Sequence, residues 1–159
     1  LPQPAAVLYV LAVAIGIVAG MRAMTAPAAV SWAARRGVLD LEGTWLAFLG
    51  YAWTPWILTV LALVELVTDQ LPATPSRTVP VQFGTRILMG AACGAALVAG
   101  GGSMIVGALA GVVGAVVGTL GGRAARARLA AAFGSDRPAA LLEDAVAIAG
   151  ALVVVWLRS

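Results

Sequence analysis

The chain has 159 residues, 62% of them hydrophobic and only 11% charged. Soluble domains carry about a quarter charged residues, so this composition, with a mean hydropathy of +1.00, excludes an ordinary soluble domain and predicts an integral membrane protein. All ten basic residues are arginine, there is no histidine and the net charge is +3, but the arginines stand at the ends of apolar runs without interleaved exposed aromatics, a pattern of helix ends meeting headgroups that excludes nucleic acid as a partner.

The length suits roughly four to six membrane helices in one domain, 1–159. The first is expected over 4–24, with Pro4 in its first turn, where a missing N–H costs little. Gly16 and Gly20 lie one turn apart on it and offer a small-residue face for close helix contact. This run lacks a basic flank, so no cleavable signal peptide is expected, and a start upstream of Leu1 is.

The segment TAPAAVSWAARRG at 25–37 contains Pro27, which a regular helix cannot pass without a kink. Trp32, Arg35 and Arg36 suit a membrane interface, so a short interfacial or re-entrant helix is predicted over 25–36. A polar loop at 38–43 and a second interfacial piece at 45–52 follow. Trp45, Tyr51, Trp53 and Trp56 crowd together like the aromatic belt of a membrane boundary.

The second membrane helix is expected over 53–71, opened by Pro55 and ended by Pro72 and Pro75. The third covers 81–99 and carries Arg86. A single helix over 82–122 would be about 60 Å long, too long for one crossing, so Gly100, Gly101 and Gly102 mark a turn into a fourth helix at 103–122. Gly107, Gly111, Gly114, Gly118 and Gly121 form a seam on it with 4-3-4-3 spacing, a pattern for close helix packing. Arg123, Arg126, Arg128, Asp136 and Arg137 are read as a polar connection, and the last helix as 139–157, carrying Glu143 and Asp144 near its start. The lone Cys93, inside an apolar run, forms no intrachain disulfide.

The prediction is therefore an all-α polytopic protein with about five transmembrane helices. Five crossings place Arg22, Arg35, Arg36 and Arg158 on one side. Arg77, Arg86, Arg123, Arg126, Arg128 and Arg137 fall on the other with the N-terminus, which the positive-inside rule then puts in the cytoplasm.

The chemistry concentrates at ELVTDQLPATPSRT, 65–78. Glu65 and Asp69, four residues apart, share a helix face. Glu65 would lie about 5 Å from the membrane midplane, where an ionised carboxylate must be paired, hydrated or protonated. The same topology brings Arg86, Glu143 and Asp144 to that end. One reading is a site for a proton, a small cation or a small solute. The other is structural, with Glu65 or Asp69 pairing Arg86 and with Glu143 and Asp144 favouring a helix N-terminus. The hydroxyls and Arg of Thr74-Pro75-Ser76-Arg77-Thr78 fit either an anion contact or a plain loop cap. Gly20-Met21-Arg22-Ala23 and Gly121-Gly122-Arg123-Ala124, each followed by an Ala-rich stretch and a helix with two acids, suggest an inverted repeat of the kind transporters use. No nucleophile, histidine or phosphate loop is present, so no enzyme activity and no cofactor are expected, and no metal preference beyond hard oxygen ligands follows.

GMRAMTAPAAVSWAARRG at 20–37, ELVTDQLPATPSRT, GALAGVVGAVVGTLGGRAAR at 107–126 and RPAALLEDAVAI at 137–148 together resemble a family of small bacterial integral membrane proteins known under a domain-of-unknown-function label. The resemblance covers nearly the whole chain and implies residence in the bacterial cytoplasmic membrane, with no activity attached. The function expected is a small transporter or channel-like protein using Glu65, Asp69, Arg86, Glu143 and Asp144, as a homo-oligomer. The alternative is a non-catalytic scaffold or accessory subunit of a larger membrane complex.

Overall fold

The computed structural model describes residues 2–71 and 79–159. Six α-helices occur among them: α1 (Ala5–Met21), α2 (Thr25–Arg35), α3 (Thr54–Thr68), α4 (Pro80–Val98), α5 (Met104–Phe133) and α6 (Asp136–Arg158), with a 3-10 turn at Ala47–Gly50 before α3. The motif at 74–78, the stop signals Pro72 and Pro75, and the placement of Arg77 lie outside the described residues. The five apolar runs become α1, α3, α4, α5 and α6. Of these, α4, α5 and α6 are long and apolar enough to cross a membrane, while α1 and α3 are apolar but shorter, at 17 and 15 residues. Large apolar side chains such as Val60, Val64, Leu109, Val113, Leu152 and Val153 stay exposed along α3, α5 and α6. In an integral membrane protein that outer surface faces lipid.

Polar ties at the helix ends fix the direction of each helix. At one end, Gln3 donates to the Leu157 carbonyl at 2.6 Å, the Ser103 N–H donates to the Tyr9 hydroxyl at 2.9 Å, and Arg158 donates to the Leu97 and Ala99 carbonyls at 2.7 and 3.2 Å. This is the terminal end of the bundle, because the first and last described residues lie there. At the far end, Arg86 of α4 and Thr119 of α5 both donate to the Gly20 carbonyl at the close of α1.

Between these ends α2 runs back from the far end toward the terminal end. Its Trp32 indole donates to Thr59 of α3 at 2.9 Å and meets Trp56 edge-on with ring centroids 5.0 Å apart, and Ser31 donates to the Leu49 carbonyl. Ala26, Val30 and Ala33 are buried. The helix is therefore re-entrant and packed inside the bundle rather than interfacial, whereas Trp45, Phe48, Tyr51 and Trp53 of the following piece are exposed. This return corrects the five-crossing topology. Arg22 shares an end with Glu65, Asp69 and Arg86, and the N-terminus shares the opposite end with Arg36 and Arg158.

The predicted polar connection after residue 122 is helical instead. The run Ala-Ala-Arg-Ala-Arg-Leu-Ala-Ala-Ala at 124–132 consists of strong helix formers, so α5 continues for 30 residues until Gly134, whose φ of 70° provides a left-handed stop. α6 then starts at Asp136, earlier than expected, with Pro138 inside its first turn.

The core is built on backbone-to-backbone proximity among α1, α4 and α5. A Cβ on Gly90 would lie 2.6 Å from the Gly111 carbonyl oxygen, one on Gly107 2.7 Å from the Gly94 carbonyl, and one on Gly114 2.8 Å from the Ile17 nitrogen. Gly107 and Gly111 thus face α4, whereas Gly114 and Gly118 face α1. Gly121 faces open space and takes no part in this contact. α1 and α5 run in the same direction, so the two Gly-Arg segments they carry are not related by inversion. The alternation of all six helices does give α1–α3 and α4–α6 opposite senses.

Candidate functional site: a buried arginine–carboxylate cluster

The chain reverses between α1 and α2 at Arg22, Ala23 and Met24. A reversal inside a bundle leaves the last carbonyls of one helix and the first N–H groups of the next without intrahelical partners. Arg86 supplies donors to the first set, with Nη1 at 2.9 Å from the Gly20 oxygen and 2.8 Å from the Met21 oxygen. Glu65 supplies acceptors to the second. Its Oε2 accepts from the Ala23 N–H at 3.1 Å and its Oε1 from the Met24 N–H at 3.3 Å. The cation thus sits at the negative end of α1 and the anion at the positive end of α2, as the helix dipoles favour.

Arg22 fills the junction and is fully buried. Its Nε donates to Asp144 Oδ1 at 2.6 Å and its Nη1 to Asp69 Oδ2 at 3.0 Å. Nη2 also pairs with Asp144, and Glu143 Oε2 stands 3.4 Å from Nη1. A single planar guanidinium therefore joins α1 to both α3 and α6, which the fork geometry of arginine permits and a lysine point charge does not. Arg86, 2% exposed, stands 3.8 Å from the same Asp69 oxygen.

A third guanidinium closes the far end. Arg126 of α5 grips Asp136 side-on at 3.0 and 2.7 Å, donates to the Asp69 carbonyl at 3.1 Å and lies 3.5 Å from Glu143. Gln70 Nε2 lies 3.4 Å from Asp144 Oδ2. Glu143 and Asp144 are 6% and 8% exposed. Charges this deeply withdrawn from water cost several kcal/mol each unless their partners are well placed, and here each guanidinium named contacts more than one acceptor.

The structure brings all five polar residues singled out by sequence, Glu65, Asp69, Arg86, Glu143 and Asp144, into one cluster. Sequence reasoning missed its centre, Arg22, and its outer member, Arg126. Pro27 was the available signal for the first: a proline within a new helix's first turn fits a start as well as a kink. For Arg126 the signal was the helix-forming Ala-Arg run that carries α5 past its glycines. Among the described residues, no group of three or more acidic, His or Cys side chains has the arrangement of a metal site.

No significant match is found among curated proteins or among solved structures. A family model does match residues 9–157, nearly the whole chain, and the protein belongs to that family, the domain of unknown function DUF4126.

Proposed function

We propose that this integral membrane protein is a small transporter or channel-like protein that moves a proton or small cation, alone or with a small solute, past the Arg22 cluster without catalysis. The observation that carries the reading is Glu65 seated on the N–H groups left without intrahelical partners at the start of α2, within a bundle of apolar helices. Helices broken inside a membrane protein commonly present such ends to ions and substrates, and intramembrane acids mark ion or proton paths. Protonating Glu65 removes the charge that holds the N-terminus of α2. Loading a proton would thereby loosen α3 from α2 at this end. The small bundle has few walls to enclose a path, so a homo-oligomer is part of the proposal.

The test is proton and cation flux into proteoliposomes, comparing the wild type with Glu65→Gln and Asp69→Asn. Flux present in the wild type and lost in folded, inserted variants supports the reading. Absence of flux across a panel of cation and pH gradients overturns it for cations.

A second reading is favoured by a different observation. The cluster carboxylates are engaged by guanidinium or backbone donors, and three helices touch through glycine backbone, features that suit a rigid accessory subunit. That reading expects Glu65→Gln to leave function intact and larger partners to copurify.

A further inference from the structure

At the terminal end of the bundle, away from the Arg22 cluster, α2 and α6 part around a cavity of about 450 Å³. That volume is in the range of small-ligand sites. Its walls are mainly apolar and include Ala29, Trp32, Leu152 and Trp156, with Arg36 at the polar rim. Leu152 and Trp156 are exposed on the outer face of α6, so the cavity opens toward the medium that the apolar helix faces, which is acyl chain.

Arg36 is held over the Trp32 ring, its guanidinium carbon 5.9 Å from the ring centroid, and among the described residues it has no carboxylate partner. Its depth is that of a headgroup. α2 ends beside it, α6 ends at Arg158, and the exposed Trp45, Tyr51 and Trp53 belong to the same end. An apolar cavity open to lipid, rimmed at headgroup depth by a cation with no ion-paired carboxylate among the described residues, matches a ligand with a hydrocarbon tail and an anionic head. A free anion would gain nothing from the apolar walls, and a zwitterionic lipid would bring its own cation to the rim.

We propose that this cavity binds one anionic phospholipid, with an acyl chain between α2 and α6 and its phosphate on Arg36. The site is separate from the cluster and stands whether or not the protein transports.

The test is native mass spectrometry of the full chain in a neutral detergent, offered dioleoylphosphatidylglycerol or dioleoylphosphatidylcholine. One retained phosphatidylglycerol per chain is expected, with a preference over phosphatidylcholine of about fivefold, the effect of one arginine near an anionic surface. Arg36→Gln should equalise the two lipids. Ala29→Phe and Leu152→Trp should each reduce retention of both, and the second lies on the exposed face of α6, where folding tolerates it. The proposal is overturned if no preference appears, if the preference survives Arg36→Gln, if it is lost instead in Arg128→Gln/Arg137→Gln at the opposite end, or if neither filling variant reduces binding.

Discussion

Arg22 and Asp144 are joined by a 2.6 Å hydrogen bond across 122 residues of sequence, and this bond ties the end of the first helix to the third turn of the last. Both residues are buried, so removing Arg22 leaves the Asp144 carboxylate without its guanidinium partner. Arg22→Leu should destabilise the protein by about 3–5 kcal/mol, read as unfolding in mixed detergent micelles. Arg22→Lys should recover only part of this, because an ammonium cannot reach Asp69 and Asp144 with a planar fork. An Arg22→Leu protein as stable as the wild type would show that the cluster is dispensable to the fold.

Arg86 behaves differently from a simple ion-pair partner. Among the described residues it donates to the Gly20 and Met21 carbonyls, while Asp69 is 3.8 Å away. Removing Arg86 should therefore fail to rescue Glu65→Gln/Asp69→Asn. A double-mutant cycle should give a weaker coupling for Arg86 with Asp69 than for Arg22 with Asp144, by about 1 kcal/mol or more. Full rescue by Arg86→Met would mean that charge balance, not carbonyl capping, is its role.

Glu65 can be separated into charge and acceptor. Glu65→Gln keeps an oxygen for one of the two N–H groups, whereas Glu65→Leu keeps none. The loss of a helix N-terminal acceptor costs about 1 kcal/mol, so Glu65→Leu should be the less stable of the pair by roughly that amount. Circular dichroism melts in detergent measure this, and equal melting of the two variants would sink the assignment.

Two glycines of one seam should respond in opposite ways. A Cβ on Gly111 collides with the Gly90 carbonyl, while Gly121 meets open space. Gly111→Ala should destabilise by about 1–3 kcal/mol through forced separation of α4 and α5. Gly121→Ala should be neutral or stabilising by up to about 1 kcal/mol, since alanine is the better helix former. Similar losses at both positions would count against the packing described.

The arrangement of ends predicts topology. Gln3 bonds the Leu157 carbonyl, so tags at the two termini should report the same side of the membrane and a tag at Gly134 the other. Arg123, Arg126, Arg128 and Arg137 belong to the Gly134 end, and the positive-inside rule places that end in the cytoplasm. Paired cytoplasmic and external reporters at these three positions decide the orientation, and opposite reports from the two termini would contradict the fold.

The apolar helices were legible because bilayer-length hydrophobic runs leave few alternatives, and the four carboxylates stood out because acids are rare in such runs. The role of Arg22 was not legible, and the reason is parity. An eleven-residue helix such as α2 carries too few apolar residues to declare itself a returning segment, yet whether it returns decides which end every later residue occupies. Counting it as interfacial sends Arg22 away from Asp69, and counting it as a return brings them together. The glycine seam was legible as a pattern, but its division between α4 and α1, and the idleness of Gly121, depend on where the neighbouring helices start.

The reversal at Arg22 also dictates an order of assembly. The first two helices emerge from the ribosome before the groups that hold them apart: Asp69 lies 47 residues after Arg22 and Asp144 lies 122 residues after it. Until those partners are made, α2 has neither the length nor the apolar character to remain in a bilayer on its own. Its entry into the bundle consequently follows the synthesis of α3, whose Trp56, Thr59 and Glu65 hold it, and a nascent protein stalled before α3 should hold α2 outside the membrane.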